Sequence, residues 1–411
     1  SAVGQDVQTD AYGHTNVLLI GVGGAGHDGE NLTDTMIIAS IDHETNTVSM
    51  ISIPRDFYVE NAEVGWGTRI NSIYEYVLDE TNDPAHAMSQ LEGEIEKVFD
   101  LDIHYYAKID FRGFVDIVDA LDGVTVNVEQ TIADDAYPAP DGSNYLYDPF
   151  YLTAGLQELD GETALKYVRS RHDTSDFDRA RRQQEVITAI KDKAMSIGML
   201  TNPGKIKDLY YAISSNFETN MKLDEMLSLV DFAEGLTSDS ILSAVISDDA
   251  TTRGGFLYTP PREENDPYYL IPFAGEMNFV ELQFFAQLFL YHPEVYAKNV
   301  PIQVLNGTKE ESLAGLTKMY LVRYGFNVVN YGNALNRETV DTQIISKVEG
   351  NEATLYLVPS LTFGKITSTI PSEYLPENWP TEAEIIIVLG QDFADFYNEH
   401  DELFYIGIYW V

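Results

Sequence analysis

Apolar positions come in short runs whose spacing switches repeatedly between that of strands and that of helices. Residues 16–20 form an apolar run of strand length, and 34–41 and 47–53 form two more. The last two are joined by Asp42-His43-Glu44-Thr45-Asn46, a hairpin-like connection. Helical spacing predicts a helix from Arg69 to about Leu78 and another over 84–99. A strand is expected over 104–109, an amphipathic helix over 111–120, and a strand over 124–128 after the turn at Asp122-Gly123. Residues 129–154, rich in Pro, Asp, Gly and Tyr, read as a long irregular excursion, too long for a plain connector. Helices are expected at 161–169, 178–197, 203–217 and 223–233, and a strand at 241–246. Residues 248–265 carry Gly and Pro pairs and mark a domain boundary; a helix follows over 278–291. Beyond it lie a strand (302–305), a helix (311–324), a strand (326–331), a helix (352–361) and a strand (384–389). That order predicts a small, separate α/β domain.

Composition narrows the picture. At 411 residues, 44% of them apolar, the chain is long enough for two or three globular domains. An excess of 66 acidic over 25 basic residues gives a formal net charge of -41, which makes nucleic acid a poor partner. There is no Cys, so disulfides, thiolate metal sites and Cys nucleophiles are excluded. No run approaches the roughly 20 apolar residues of a membrane helix. The chain starts at Ser1 without Met, and a targeting or anchoring segment is expected to have been removed.

Two stretches carry candidate chemistry. Gly21-Val22-Gly23-Gly24-Ala25-Gly26 matches the dinucleotide pattern G-x-G-x-x-G. That pattern works only where a helix starts inside it, so that the helix N-terminus meets the pyrophosphate. Here the continuation is His27-Asp28-Gly29-Glu30-Asn31, a polar, helix-breaking sequence, and the glycines read as a tightly turning active-site loop. The second stretch runs from Tyr167 to Gln184. Five of the 12 Arg in the chain, Arg169, Arg171, Arg179, Arg181 and Arg182, fall within it. Arg presents a planar fork of donors that suits phosphate or carboxylate, so the cluster is either a phosphate grip or a set of structural ion pairs. Arg179, Arg182 and Gln183, at i, i+3 and i+4, share one helical face. Pro54 ends a strand and leaves Arg55 and Asp56 at its tip.

Several ordered motifs between about residues 16 and 200 make the chain resemble the LytR-CpsA-Psr family. They are Leu32-Thr33-Asp34-Thr35-Met36, Ser52-Ile53-Pro54-Arg55-Asp56, Arg69-Ile70-Asn71, Tyr105-Tyr106 before Asp110-Phe111, and Leu121-Asp122-Gly123-Val124. Leu159-Asp160-Gly161-Glu162-Thr163-Ala164-Leu165 and Tyr167-Val168-Arg169-Ser170-Arg171, ending in Arg182-Gln183-Gln184, complete the set. Residues 300–395 resemble the separate LytR C-terminal domain through Val304-Leu305-Asn306-Gly307-Thr308 and Leu389-Gly390-Gln391-Asp392.

The resemblance implies an α/β fold, an α-β-α sandwich with a mixed central sheet, plus a second, smaller α/β domain. The expected organisation is a tail (1–15), the family domain (16–250), a linker with a connecting helix (251–299), the LytR C-terminal-like domain (300–395) and a tail (396–411). It implies an extracytoplasmic enzyme anchored to the cell membrane by an N-terminal helix. Such an enzyme moves a glycopolymer from a polyprenyl-pyrophosphate carrier onto peptidoglycan with the help of Mg²⁺. Asp34 is the implied Mg²⁺ ligand, and Arg55, Arg69, Arg169 and Arg171 are the implied pyrophosphate ligands. Arg179, Arg182 and Gln183 match the family's helical substrate-binding set, and Arg55, Asp34 and Asp56 form the expected catalytic group. Asp56 reads equally as a structural partner of Arg55. The chain departs from the family at Val22 and Gly23, where many members carry an Asp, and at Leu32, where many carry an Arg. Asp28 or His27, in the adjacent glycine-rich loop, either substitutes for the missing carboxylate or belongs to a plain solvated loop. His172 is expected to be a surface turn residue rather than a base. Tyr and Phe within 137–151 either line a lipid entrance or pack the excursion. The competing functional reading is a non-catalytic binder of polyprenyl phosphate or glycopolymer, or a hydrolase of the pyrophosphate lipid.

Overall fold

The structure is a computed structural model and describes residues 7–138, 147–170, 176–199, 202–262, 267–367 and 382–404. The chain divides into two compact units, Ser1–Val245 and Ile246–Val411.

The first unit is built on three strands, β1 (His14–Val22), β2 (Thr35–Asp42) and β3 (Thr47–Ile53), paired antiparallel and buried in near-continuous runs, as strands covered on both faces are. Pro54 ends β3, and the chain returns through a small hairpin, β4 (Tyr58–Asn61) and β5 (Trp66–Arg69), that the apolar pattern does not reveal because it is short and half exposed. Helices α1 (Ile73–Thr81) and α2 (Pro84–Phe99) follow, the second started by Asp83, whose side chain accepts from the backbone N–H of Ala85 and His86. Strand β6 (Tyr105–Asp110) pairs parallel with β1 and leads into α3 (Phe111–Ala120), capped by Asp110 through Gly113 N–H.

Strand β7 (Val124–Val128) precedes the excursion, which is more regular than expected. Within it β8 (Ile132–Asp134) and β9 (Phe150–Leu152) pair antiparallel, and β10 (Gly155–Leu159) pairs with β7. Helices α4 (Gly161–Arg169) and α5 (Asp176–Ser196) carry Arg169, Arg179, Arg181 and Arg182. Helix α6 (Pro203–Ile213) stops four residues before the expected end, because Ser214-Ser215-Asn216 are weak helix formers. Phe217 belongs instead to β11 (Phe217–Thr219), paired with β6. The helix expected over 223–233 is broken at Leu229 into α7 (Leu223–Ser228) and α8 (Val230–Gly235). Strand β12 (Ile241–Val245) closes the sheet in the order β11-β6-β1-β2-β3-β12.

Alternation along the strands gives this mixed sheet two faces. Leu19 and Ile37 face Ile187 of α5, while Lys108 reaches Tyr74 Oη on α1 at 2.6 Å on the opposite side. The result is the expected sandwich.

In the second unit, residues 251–299 contribute β13 (Leu257–Tyr258), β14 (Ile271–Pro272), α9 (Val280–Tyr291), which is the helix expected there, and α10 (Pro293–Lys298). Phe256 and Phe285 are fully buried and pack at 5.2 Å, so this segment supplies core. A five-stranded sheet follows, built from β15 (Pro301–Asn306), β16 (Asn327–Asn333), β17 (Gln343–Ser346), β18 (Lys365–Ile366) and β19 (Ile385–Leu389) in the order β16-β15-β19-β17-β18. Helices α11 (Leu313–Arg323), α12 (Glu352–Thr362) and α13 (Gln391–Glu399) accompany it. The start of the expected C-terminal tail is also structural: Phe404 is buried and stacks on Tyr320 at 4.8 Å. No helix among the described residues is long and apolar enough to cross a membrane.

Candidate functional site

At the ends of β1, β2 and β3 the charged residues form a ladder. The residue before Asp34 is pinned by two bonds to the Asn71 carbonyl, from Thr33 N at 3.1 Å and Thr33 Oγ1 at 3.2 Å. Asn71 Nδ2 then donates to Asp34 Oδ1 at 3.1 Å, and Arg55 Nη1 donates to the same oxygen at 3.3 Å. Both bonds leave Asp34 Oδ2 unengaged. Arg55 Nε lies 3.4 Å from Asp56 Oδ2, and Arg69 Nη1 donates to Asp56 Oδ1 at 3.1 Å. Asp56 is buried, so its charge is held by these two guanidinium groups and in turn holds them.

The opposite wall comes from α3, α4 and α5. Arg169 is the last residue of α4, where a cation complements the helix dipole. Its guanidinium carbon sits 4.0 Å from the Phe111 ring centroid, and Nη1 donates to Tyr137 Oη at 3.2 Å. Arg182 is turned to a different task. Its Nε donates to the Tyr167 carbonyl at 2.9 Å and its Nη2 to the Ser170 carbonyl, so it satisfies the terminal carbonyls of α4. Burial pushes the pKa of Arg182 down, with Tyr167 and nearby carboxylates opposing. Gln184 ties α5 to the sheet through Ser52 Oγ at 2.8 Å and the Ala244 carbonyl at 3.0 Å. Ser170 Oγ donates to Asp134 Oδ2 at 2.7 Å, which fastens β8 over this wall.

Between the walls lies a polar cavity of about 520 Å³. Its lining includes Asp28, Asp34, Arg55, Asp134, Tyr137, Arg169, Arg179 and Gln183. A second cavity, of about 260 Å³, is apolar and runs between the sheet and helices α3, α4 and α5, lined by Leu19, Ile37, Ile109, Phe114, Ile187 and Ile190 among others. Gly21, Thr35, Phe111, Val168, Arg169 and Gln183 line both. Gly21 keeps the junction open, since a Cβ there would stand 3.0 Å from Thr35 Cβ.

The glycine-rich loop is a turn: no helix starts in it, and β2 follows directly, which excludes a dinucleotide site. Gly24, at φ +81°, passes so close to Asp110 that a Cβ would lie 2.8 Å from Asp110 Cβ. His27 is placed edge-on to Phe111 at 5.0 Å. Its pKa is pushed down by burial and by Arg169, with Asp110 opposing.

Six residues singled out from the sequence thus meet in one cavity: Asp28, Asp34, Arg55, Arg169, Arg179 and Gln183. Arg69, Asp56 and Arg182 do not line it and act on its walls. Arg171 and His172 lie outside the described residues. Asn71, Phe111 and Asp134 were not singled out as site residues, and Tyr137 was named only among the Tyr and Phe of 137–151 that either line a lipid entrance or pack the excursion. Asn71 and Phe111 stood in the motifs Arg69-Ile70-Asn71 and Asp110-Phe111, whereas Asp134 had no signal beyond the unusual length of its excursion. For a divalent cation, Asp34, through Oδ2, and Asp28 are carboxylates that line the cavity. Among the described residues no group of three or more His, Asp or Glu could hold an ion unaided. Such a site fits an ion that takes its remaining ligands from substrate phosphates.

The model of the LytR_cpsA_psr family matches residues 2–267, and that of the LytR cell envelope-related transcriptional attenuator matches 299–393. The polyisoprenyl-teichoic acid–peptidoglycan teichoic acid transferase TagU of Oceanobacillus iheyensis is 31% identical over 253 residues, covering 61% of this chain and 72% of that protein. The cell wall biosynthesis protein LcpA of Corynebacterium glutamicum is 26% identical over 388 residues, 87% of this chain and 71% of that one. The crystal structure of Bacillus subtilis TagV superposes with a TM-score of 0.52 at 25% identity, covering 68% of this chain and 98% of TagV.

Proposed function

The chain belongs to the LytR-CpsA-Psr family, and from that premise we propose that it is a phosphotransferase moving a glycopolymer from a polyprenyl-pyrophosphate carrier onto peptidoglycan. The observation that carries the reading is the junction of a polar, arginine-lined cavity with an apolar one through Arg169. A ligand that fills both is an amphiphile with an anionic head joined directly to an apolar tail. The name of the TagU relative, a transferase of polyisoprenyl-linked teichoic acid to peptidoglycan, supports the same class of substrate.

In this reading the acceptor hydroxyl oxygen bonds to the phosphorus that bears the glycan. The bridging P–O bond breaks, polyprenyl phosphate leaves, and a cavity carboxylate takes the hydroxyl proton. Arg55, Arg169 and Arg179 hold the pyrophosphate and spread its charge, which is most of what phosphoryl transfer requires. Asp56 and Asn71 orient Arg55 and Asp34. Asp34, with Asp28, would hold Mg²⁺, which would neutralise charge on the phosphate oxygens. Carrier and acceptor meet at the outer face of the cell membrane, so the reading is extracytoplasmic, with membrane anchoring outside the described residues. Gly23, where many family members have an Asp, favours the competing reading of a non-catalytic lipid binder.

Turnover of a synthetic polyprenyl-pyrophosphoryl sugar, with and without Mg²⁺, tests the proposal. Release of polyprenyl phosphate should require Mg²⁺ and fall about 100-fold or more in Asp34→Ala and in Arg169→Ala. Lipid bound without release at any Mg²⁺ concentration would leave the binder. Release to water with no product on peptidoglycan would leave the hydrolase.

A further inference from the structure

Arg169 has a problem of choice. It closes α4 on a cavity that also displays Asp28, Asp34 and Asp134, and a free guanidinium there would fold onto a carboxylate. Instead it is held between aromatic rings. Phe111 lies 4.0 Å from its guanidinium carbon and Tyr137 lies 5.6 Å away, with Tyr137 Oη accepting from Nη1 at 3.2 Å.

Tyr137 is itself fixed from several sides. It is 4% exposed, packs against Phe150 at 6.1 Å, and lies under Lys166 Nζ at 5.6 Å. Its carbonyl accepts from Asp148 N at 2.8 Å, and the Asp148 carboxylate is paired with Lys166. Lys166 and Arg169 are one turn apart on α4, so a single ring from the 129–154 excursion meets both. Burial pushes the Tyr137 phenol up, Arg169 opposing, which keeps the hydroxyl protonated and neutral at physiological pH.

We propose that Tyr137 is a positioning residue that locks the Arg169 guanidinium across the junction of the two cavities, where it meets the phosphate nearest the apolar tail of a polyprenyl pyrophosphate. The substrate half of this inference rests on the function proposed above. Tyr137, held beside β8, thereby sets where the anionic head ends and the tail begins.

The experiment uses the full chain, calorimetric titration with farnesyl pyrophosphate and with farnesol, and NMR of the Arg169 Nε–H resonance. Tyr137→Phe keeps the ring and should weaken farnesyl pyrophosphate about 5- to 10-fold while leaving farnesol unchanged. Tyr137→Leu removes ring and hydroxyl and should weaken it about 30-fold or more, provided thermal unfolding shows it folded. In an Arg169→Met background, Tyr137→Phe should have no further effect, because the group it positions is gone. Equal weakening in both backgrounds, or equal weakening of farnesol, would overturn the proposal. An Arg169 resonance equally ordered in wild type and Tyr137→Phe would do the same. If wild type binds no farnesyl pyrophosphate while the resonance loses order in Tyr137→Phe, the clamp stands and the lipid reading falls.

Discussion

Asp56 lies outside the cavity, yet two of the arginines that matter most are arranged around it. Its carboxylate is buried against Arg55 and Arg69, and Arg55 in turn reaches Asp34. Removing it frees Arg55 to collapse onto Asp34 and leaves a guanidinium without its counter-charge. Asp56→Ala should therefore weaken pyrophosphate-lipid binding about 10-fold and lower unfolding stability by about 2 kcal/mol, read by titration and denaturant melts. A different buried carboxyl carries a pH prediction. Glu281 in α9 is 3% exposed, and burial, with Glu402 reinforcing and Arg323 opposing, raises its pKa from 4.5 to about 7. The folded chain then binds a proton more tightly than the unfolded one between those values. Stability from this group is full below pH 4.5 and is lost as pH rises through about 7. Glu281→Gln should remove a slope of up to about 3 kcal/mol over that window, visible as a smaller difference between denaturant melts at pH 5 and pH 8.

At the scale of elements, the strands and helices that build the walls were readable from periodicity, because each buries a face against the sheet. Strands β4, β5, β8 and β9, at three or four residues each, are too short for alternation to register. Strand β11 starts at Phe217, the last residue of an expected helix, and its strand state comes from pairing with β6, a partner about 110 residues earlier in the chain. Arg182 shows the same limit for side chains: its helical spacing put it with Arg179 and Gln183, but it turns back to close α4. The junction between cavities is an element-level feature too, made where β1 passes β2 with no side chain at Gly21. Gly21→Val should narrow it and weaken a tail-bearing ligand such as farnesyl pyrophosphate about 10-fold, with inorganic pyrophosphate changed less than about 2-fold, by calorimetry.

On the whole molecule, a formal net charge of -41 means that folding gathers negative charge against its own repulsion. Raising ionic strength from about 0.01 M to 0.15 M shortens the screening length from about 30 Å to 8 Å and should raise the midpoint of thermal unfolding by a few degrees. All the cavity residues belong to the first unit. The sequence by itself determined the α/β class, the existence of a second α/β body and most of the arginines and aspartates of the site. Those rest on periodicity and on ordered local motifs, both written within a few residues of one another. Only the tertiary structure decided that Asp56, Arg69 and Arg182 serve the walls while Arg55, Arg169 and Arg179 face the cavity. It also decided that Tyr137 from the excursion meets Arg169 across 32 residues of chain. Which atoms of a charged side chain find a partner depends on what distant segments bring beside it, and no local spacing encodes that.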